Sequence, residues 1–546
     1  MMRRPNRRNL LASLAPLAIA PWLAACGTPR KPPPPLPASS YREPRRPQYH
    51  FSPPAGWMND PNGLVFHAGR WHLFYQYHSA STTWGPMHWG HASSVDLLHW
   101  QHHPIALQPE GPQFMFSGSV VVDTASTAGF GAGSLVALYT RHDTAAEQAG
   151  QRNYQSQHLA YSEDGGLTWA PFDNESKPVI PNPGAAKDFR DPKVFWHEAT
   201  KRWVAVLAAG DHVELWAAPD LKRWAKLSEF GQGLGSHGGA WECPDLFPLP
   251  VENSSTGERQ WVLLVSVGSG APNGGSGTQY FVGHFDGERF MLDEESGFER
   301  DVQAGRAVWL DEGRDHYAGV TWANAPGDQR VLIGWMSNWD YAQQVPASTW
   351  RGAMTLPVTL GLRRVAGRGS LRLVTRPIAA LESLRQQTVV LPPGPLRGDA
   401  ALDIGQLNGG AIEPRAMELE LTLDPGGVGR CGVELSNTRG ERYRIGFDAT
   451  QRLYFSDRTR SGDLKFSNAF ASTAHTASRP AGASGPLRLR IFFDAGSAEL
   501  FADDGALQMT ETFFPSDDFT KATLFSEGPG AKLLAGRAHR IGRVWA

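Results

Sequence analysis

A turn-and-tryptophan pattern recurs three times in the first half of this chain and restricts its fold more than any other feature. It reads Ser94-Val95-Asp96-Leu97-Leu98-His99-Trp100, then Ser162-Glu163-Asp164-Gly165-Gly166-Leu167-Thr168-Trp169, then Ala218-Pro219-Asp220-Leu221-Lys222-Arg223-Trp224. Each copy supplies an Asp-centred turn and a Trp to start the next strand. The Trp residues are 69 and 55 positions apart, the length of one four-stranded propeller blade per repeat. Around them, apolar runs such as residues 71–77, 134–139 and 261–265 alternate with Gly, Asp, Asn and Pro clusters, as many short strands require. The predicted class is all-β, and roughly 310 residues at this spacing make about five blades.

The expected organisation is a five-bladed β-propeller over 48–370, a connector over 371–391 and a β-sandwich over 392–546. The stretch 371–388, with Ile378-Ala379-Ala380-Leu381-Glu382-Ser383-Leu384-Arg385, is the best helical candidate after the leader. Beyond it alternation returns, and 487–493 with 499–505 reads as a hairpin. Cys243 and Cys431 stand far apart in different predicted domains, so both read as buried free thiols.

The N-terminus has the layout of an export signal. Arg3, Arg4, Arg7 and Arg8 precede an apolar stretch, residues 10–25, too short for an ordinary membrane span. It ends Leu23-Ala24-Ala25-Cys26-Gly27, which resembles the lipobox of bacterial lipoproteins; residues 1–25 are then the signal peptide and Cys26 the lipidation site. Arg7-Arg8-Asn9-Leu10-Leu11 resembles a weak twin-arginine signal. Residues 26–47, with Pro32 to Pro35, read as an extended tether. The expected location is outside the cytoplasm, anchored in the outer membrane or periplasm of a Gram-negative bacterium. Contact with the membrane is expected through the lipid only.

With 52 Lys and Arg against 54 Asp and Glu, the chain lacks the basic footprint of a nucleic-acid binder. His88, His91, His99, His102 and His103 crowd one region but lack a ligand spacing with a thiol or carboxylate. Neither a metal nor another cofactor is expected.

Three acidic motifs offer chemistry. Trp57-Met58-Asn59-Asp60-Pro61-Asn62-Gly63 sets a carboxylate in a turn-forming sequence, where capping the turn is the simpler role. Asp188-Phe189-Arg190-Asp191-Pro192-Lys193 puts Arg190 beside Asp191, favouring its ionised form. In Trp241-Glu242-Cys243-Pro244-Asp245, the neighbouring Trp and thiol could desolvate Glu242 and raise its pKa.

Taken in order, these motifs resemble the signature of glycoside hydrolase family 32, the invertases, inulinases and levanases that act on β-fructofuranosides. Phe116-Ser117-Gly118-Ser119, residues 88–100, residues 490–494 and residues 499–501 agree with it. The resemblance implies a five-bladed propeller followed by a sandwich. It implies Asp60 as nucleophile, Glu242 as general acid/base and Asp191 as transition-state stabiliser. Such a division needs Asp60 ionised, Glu242 protonated before it donates, and two carboxyls roughly 5 to 5.5 Å apart.

Asn59, Gln76, Ser117 and Arg190 are expected to bind sugar hydroxyls, and Trp57, Trp84, Phe116 and Trp335 to present apolar faces. Residues 334–342 and 350–357 resemble exo-inulinases and levanases more than dedicated sucrose hydrolases. The expected activity is retaining release of terminal non-reducing β-D-fructofuranosyl units from levan or inulin, and from sucrose. The alternatives are an endo-levanase or a fructosyltransferase on the same scaffold, or a non-catalytic surface glycan-binding lipoprotein.

Overall fold

Runs of β-branched and aromatic residues between Gly- and Asp-rich turns fold as antiparallel meanders. The computed structural model describes residues 39–545 apart from 176, 185, 295–296, 303–305, 366–369, 397–401 and 406–411. The export signal, Cys26 and the tether up to residue 38 lie outside the described residues. The described chain is all-β with short helical turns.

Five sheets follow in sequence order. Their first strands are Gly56–His67, Gln113–Asp123, Phe189–His197, Trp241–Pro250 and Tyr317–Thr321. The first four sheets each add three strands in simple antiparallel succession. The fifth continues through Val331–Trp335, Val358–Arg364 and Leu371–Pro377, while Trp350–Arg351 leaves it to pair in parallel with Gly56 and Trp57. First strands of successive sheets touch, and that of the fifth touches that of the first.

The sequence repeat lies between the third and fourth strands of the first three sheets. Asp96 Oδ1 accepts the N–H groups of Leu98 and His99, Asp164 Oδ1 those of Leu167 and Thr168, and Asp220 Oδ1 those of Lys222 and Arg223. The Asp therefore closes its own turn, which explains why the motif requires it. Asp286 does the same in the fourth sheet, accepting from Glu288 and Arg289; Phe290 starts the next strand there, which hid this copy from the Trp pattern.

Residues 385–541 form two further sheets. One contains Arg385–Val390, Lys532–Ile541, Met417–Asp424, Leu487–Asp494, Ser497–Ala502 and Leu507–Thr512; the other contains Lys521–Ser526, Arg430–Ser436, Arg442–Asp448, Leu453–Arg460 and His475–Ser478. Leu419, Ile491 and Leu500 of the first share a buried core with Val433, Ile445 and Leu524 of the second. Cys243 and Cys431 are both buried and unpaired.

Two local expectations fail. The stretch 371–388 is not a helix: Leu371–Pro377 pairs along Val358–Arg364, Ala379–Leu384 is a short 3-10 turn, and Arg385–Val390 opens the next sheet. The alternation Leu371, Leu373 against Arg372, Arg376 supplied that strand signal, and tertiary pairing overrides local helical propensity. Nor are residues 39–47 free tether. Arg46 is fully buried, with its guanidinium 4.4 and 4.5 Å from the Tyr41 and Trp350 ring centres. It donates to the carbonyls of Pro53 and Pro54 and pairs with Glu43, which compensates its desolvation.

Candidate active site

The same backbone irregularity recurs near the start of all five first strands. Pairing with the second strand slips between Met58 and Pro61, between Phe116 and Gly118, between Arg190 and Lys193, between Glu242 and Asp245, and between Tyr317 and Val320. Bulges re-aim side chains that a regular pleat would send to opposite faces. Asp60, Ser117, Asp191 and Cys243 lie within these slips, and Glu242 and Tyr317 border them. Asp191 and Cys243 have φ of +64° and +46°, and Ala318 of +52°; strain in three equivalent places is the backbone cost of convergence.

Asp60, Asp191 and Glu242 line one cavity of about 310 Å³. Ser117 Oγ donates to Asp60 Oδ2 at 3.1 Å, and the Cys243 thiol reaches the same oxygen at 3.7 Å. Asp60 Oδ1 is buried without a hydrogen-bond partner. Asp191 Oδ2 accepts the Cys243 backbone N–H at 3.0 Å and its thiol at 3.6 Å. Arg190 donates to Glu242 Oε1 through Nε and Nη2, and the Tyr317 hydroxyl donates to Glu242 Oε2.

Burial and then the neighbouring Glu242 charge push Asp60 up to about 6, against hydrogen bonds that pull it down. Asp191 is lifted to about 7: burial raises it, Arg190 lowers it, and Glu242 and Asp60 raise it again. Arg190 does favour the ionised form of Asp191, as its place beside it suggested, but burial and the two neighbouring carboxylates outweigh it. The guanidinium is 3.9 Å from Asp191 but 2.9 Å from Glu242 and 2.6 Å from Asp188. The Cys243 thiol, expected only as part of the apolar surroundings of Glu242, points to the two aspartates.

Asn59, Gln76, Trp84, Phe116, Ser117 and Arg190 all line the cavity. Trp57 and Trp335 do not. Both are fully buried behind it, and Trp57 donates its indole N–H to Asn59 Oδ1 at 2.7 Å. Their rings pack on Trp339, which supplies the aromatic wall in their place.

The order of these motifs, now converged on one cavity, agrees with the comparisons to known proteins. Residues 50–377 match the glycosyl hydrolases family 32 N-terminal domain, and residues 380–539 match the family 32 C-terminal domain. The chain belongs to glycosyl hydrolase family 32. It is 42% identical to a levanase of Bacillus subtilis, over 93% of this chain and 72% of the relative. It is 37% identical to the extracellular exo-inulinase of Aspergillus ficuum, over 93% and 96%. The crystal structure of the Aspergillus awamori exo-inulinase superposes with a TM-score of 0.83 at 34% identity, covering 93% of this chain and all of that one.

Sequence reasoning missed further residues of the cavity in this family 32 glycoside hydrolase. His142, Glu147, Tyr154, Gln155, Asp188, Trp339 and Gln343 line the cavity. Asp188 had a signal, standing two positions before Arg190 and so on the same face of an extended segment. Gln155 accepts from the Phe189 N–H and from Arg190, a link between sheets that no local pattern announces.

Proposed function

We propose that this enzyme releases terminal β-D-fructofuranosyl units from fructans, and cleaves sucrose, by a retaining mechanism. The observation that carries this reading is the convergence of Asp60, Asp191 and Glu242 on one cavity. Asp60 is the nucleophile, and its carboxylate, oriented by Ser117 and Cys243, attacks the anomeric carbon. Glu242 transfers its proton to the glycosidic oxygen as that bond breaks, leaving a fructosyl ester on Asp60. Water then attacks the anomeric carbon, gives its proton to Glu242, and frees the Asp60 carboxylate. Asp191 accepts hydrogen bonds from ring hydroxyls and stabilises the transition state. Asn59, Gln76 and Arg190 bind hydroxyls, and Trp84, Phe116 and Trp339 exclude water.

Names of the relatives, levanase and exo-inulinase, support the substrate class and an exported enzyme. The closed succession of first-strand contacts supports a five-bladed propeller, and the shared core of the last two sheets supports a β-sandwich after it. The domain assignment is a propeller over 48–377, a link over 378–384 and a sandwich over 385–545, which shifts the expected boundaries because Leu371–Pro377 closes the fifth sheet and Arg385–Val390 opens the next. Cys26 is proposed as the lipid anchor that retains the exported enzyme at the cell envelope, with residues 26–38 as spacer.

Chromatography of early products from levan, inulin and sucrose tests the reading, with Asp60→Asn and Glu242→Gln as controls. Fructose alone from the first time point, absent in both variants, is expected. Oligosaccharides first would replace exo-hydrolysis with endo-cleavage or fructosyl transfer. Absence of turnover on all three substrates would overturn the assignment.

A further inference from the structure

Trp339 and Gln343 of the catalytic cavity stand on the connection between the strands Val331–Trp335 and Trp350–Arg351. Within it the Ala342 N–H donates to the Asn338 carbonyl at 2.8 Å, and the Val345 N–H to that of Tyr341 at 3.2 Å. Bonds of this span wind the chain into a short helical turn, which stacks side chains four positions apart on one face. Trp339 and Gln343 therefore share the face toward the cavity, and Tyr341 and Val345 share the opposite one.

That opposite face meets the C-terminal sheets. Tyr341 and Val345 pack with Phe470, from the excursion between Leu453–Arg460 and His475–Ser478. Arg458, fully buried on the first of these strands, fixes the contact. Its guanidinium lies 3.9 Å from the Phe470 ring centre, and its Nε donates to the Phe470 carbonyl at 2.8 Å. Nη2 donates to the Tyr341 hydroxyl at 2.8 Å, and Nη1 to the Thr512 carbonyl at 3.0 Å and to Asp315. Asp315 in turn accepts the Tyr341 O–H on one oxygen and the Thr512 N–H and hydroxyl on the other. A buried guanidinium is stable only where its charge and donors are met, so this cluster has one geometry. Both the donor and the acceptor capacity of the Tyr341 hydroxyl are used in it, which fixes the turn in direction as well as in place.

On the cavity side, Trp339 packs on Trp57 and Trp335, and Trp57 is bonded to Asn59 beside Asp60. The turn thus presents its two side chains next to the reacting carboxylate, where the sugar unit common to all the substrates is held. We infer that Arg458 is a positioning residue: through Tyr341 it holds the turn that presents Trp339 and Gln343, so the C-terminal sheets set the substrate affinity of a cavity to which they contribute no lining residue. The effect on substrate rests on the proposed activity; the holding of the turn rests on the contacts alone.

The test measures kcat and KM for sucrose and levan in the wild type, Tyr341→Phe and Arg458→Lys. Tyr341→Phe removes the hydroxyl and keeps the ring on Phe470, whereas Arg458→Lys keeps the charge and loses the planar fork. KM for both substrates is expected to rise roughly threefold to tenfold, the scale of one lost hydrogen bond, with kcat unchanged. A loss of folded enzyme alone would lower kcat and leave KM in place. In a background carrying Trp339→Ala and Gln343→Ala the same substitutions should no longer move KM, because the turn then presents neither side chain. Unchanged KM in the folded variants, or an equal rise in that background, would overturn the inference. Tyr341→Phe remains informative if Arg458→Lys folds poorly. Should the wild type turn over neither substrate, the proposed activity fails separately, and hydrogen exchange of the Ala342 and Val345 amides decides. Faster exchange in Tyr341→Phe than in the wild type supports the positioning role, and equal exchange overturns it.

Discussion

Arg190 grips one oxygen of Glu242 with two N–H groups, at 3.2 Å from Nε and 2.9 Å from Nη2. These residues stand on the first strands of the third and fourth sheets, 52 positions apart in sequence. The fork is anchored at its other end by Asp188 and Gln155, so it fixes the direction of the Glu242 carboxyl. Arg190→Lys keeps the charge but loses the fork. Its expected kcat is about 10²-fold below wild type, comparable to loss of one preorganised donor, with a smaller change in KM. Equal kinetics in steady-state assays with sucrose would remove Arg190 from this role.

Asp60 predicts a gain in stability when activity is destroyed. Its folded pKa of about 6 lies above the ordinary value of 3.8, so the native state holds this proton more tightly than the unfolded one. The stability cost of ionising it therefore grows as pH rises from about 4 to about 6, and is complete above that. Asp60→Asn is expected to lower kcat by roughly 10⁴-fold or more. At pH 7.5 it should raise stability by on the order of 3 kcal/mol, with no gain at pH 4. Calorimetric melting at both pH values checks the sign.

The same group sets the acidic side of the rate profile. Attack requires the Asp60 carboxylate, so kcat/KM should rise with pH through about 6. Cys243→Ala removes the thiol donor from Asp60 and Asp191 together, and hydrogen bonds to a carboxylate favour its charged form. The rising limb should move to higher pH in that variant. A limb that stays in place would mean that the thiol fills space only.

His50 predicts the opposite pH dependence for stability. It bridges Asp494 at 2.7 Å and Glu499 at 2.8 Å in a fully buried cluster that ties the segment before Gly56 to the strands Leu487–Asp494 and Ser497–Ala502. Burial opposes its charge, but the two carboxylates override that and push it up to about 9 from 6.5. This contribution is fully present below pH 6.5 and is lost as pH rises through about 9. It amounts to on the order of 3 kcal/mol. The melting temperature of wild type should fall over that window, and that of His50→Gln should start lower and change less.

Much of this protein was legible before folding. The Asp turns declare themselves because each satisfies its own backbone donors within four residues, and Asp60, Asp191 and Glu242 stand in short motifs whose order is distinctive. The helix expected at 371–388 was misread because Ala, Leu and Glu favour a helix locally, whereas the open edge of Val358–Arg364 recruits Leu371–Pro377 as its partner. Sequence alone also could not distinguish Trp335 from Trp339, four positions apart; burial against Trp57 assigns one to the core and the other to the cavity.

What the sequence determined by itself is local: strand periodicity, turn chemistry and the identity of the three carboxyl groups. What only the tertiary structure decided is which groups share an environment. Arg190 lies near its neighbour Asp191, as expected, but gives its hydrogen bonds to Glu242; the Cys243 thiol was expected to flank Glu242 and faces Asp60 and Asp191. The physical reason is that pairing and alternation act within a few residues of a strand, whereas electrostatics and desolvation act through space. Bulges on separate strands bring those charges together, and only their convergence sets which proton is held and where.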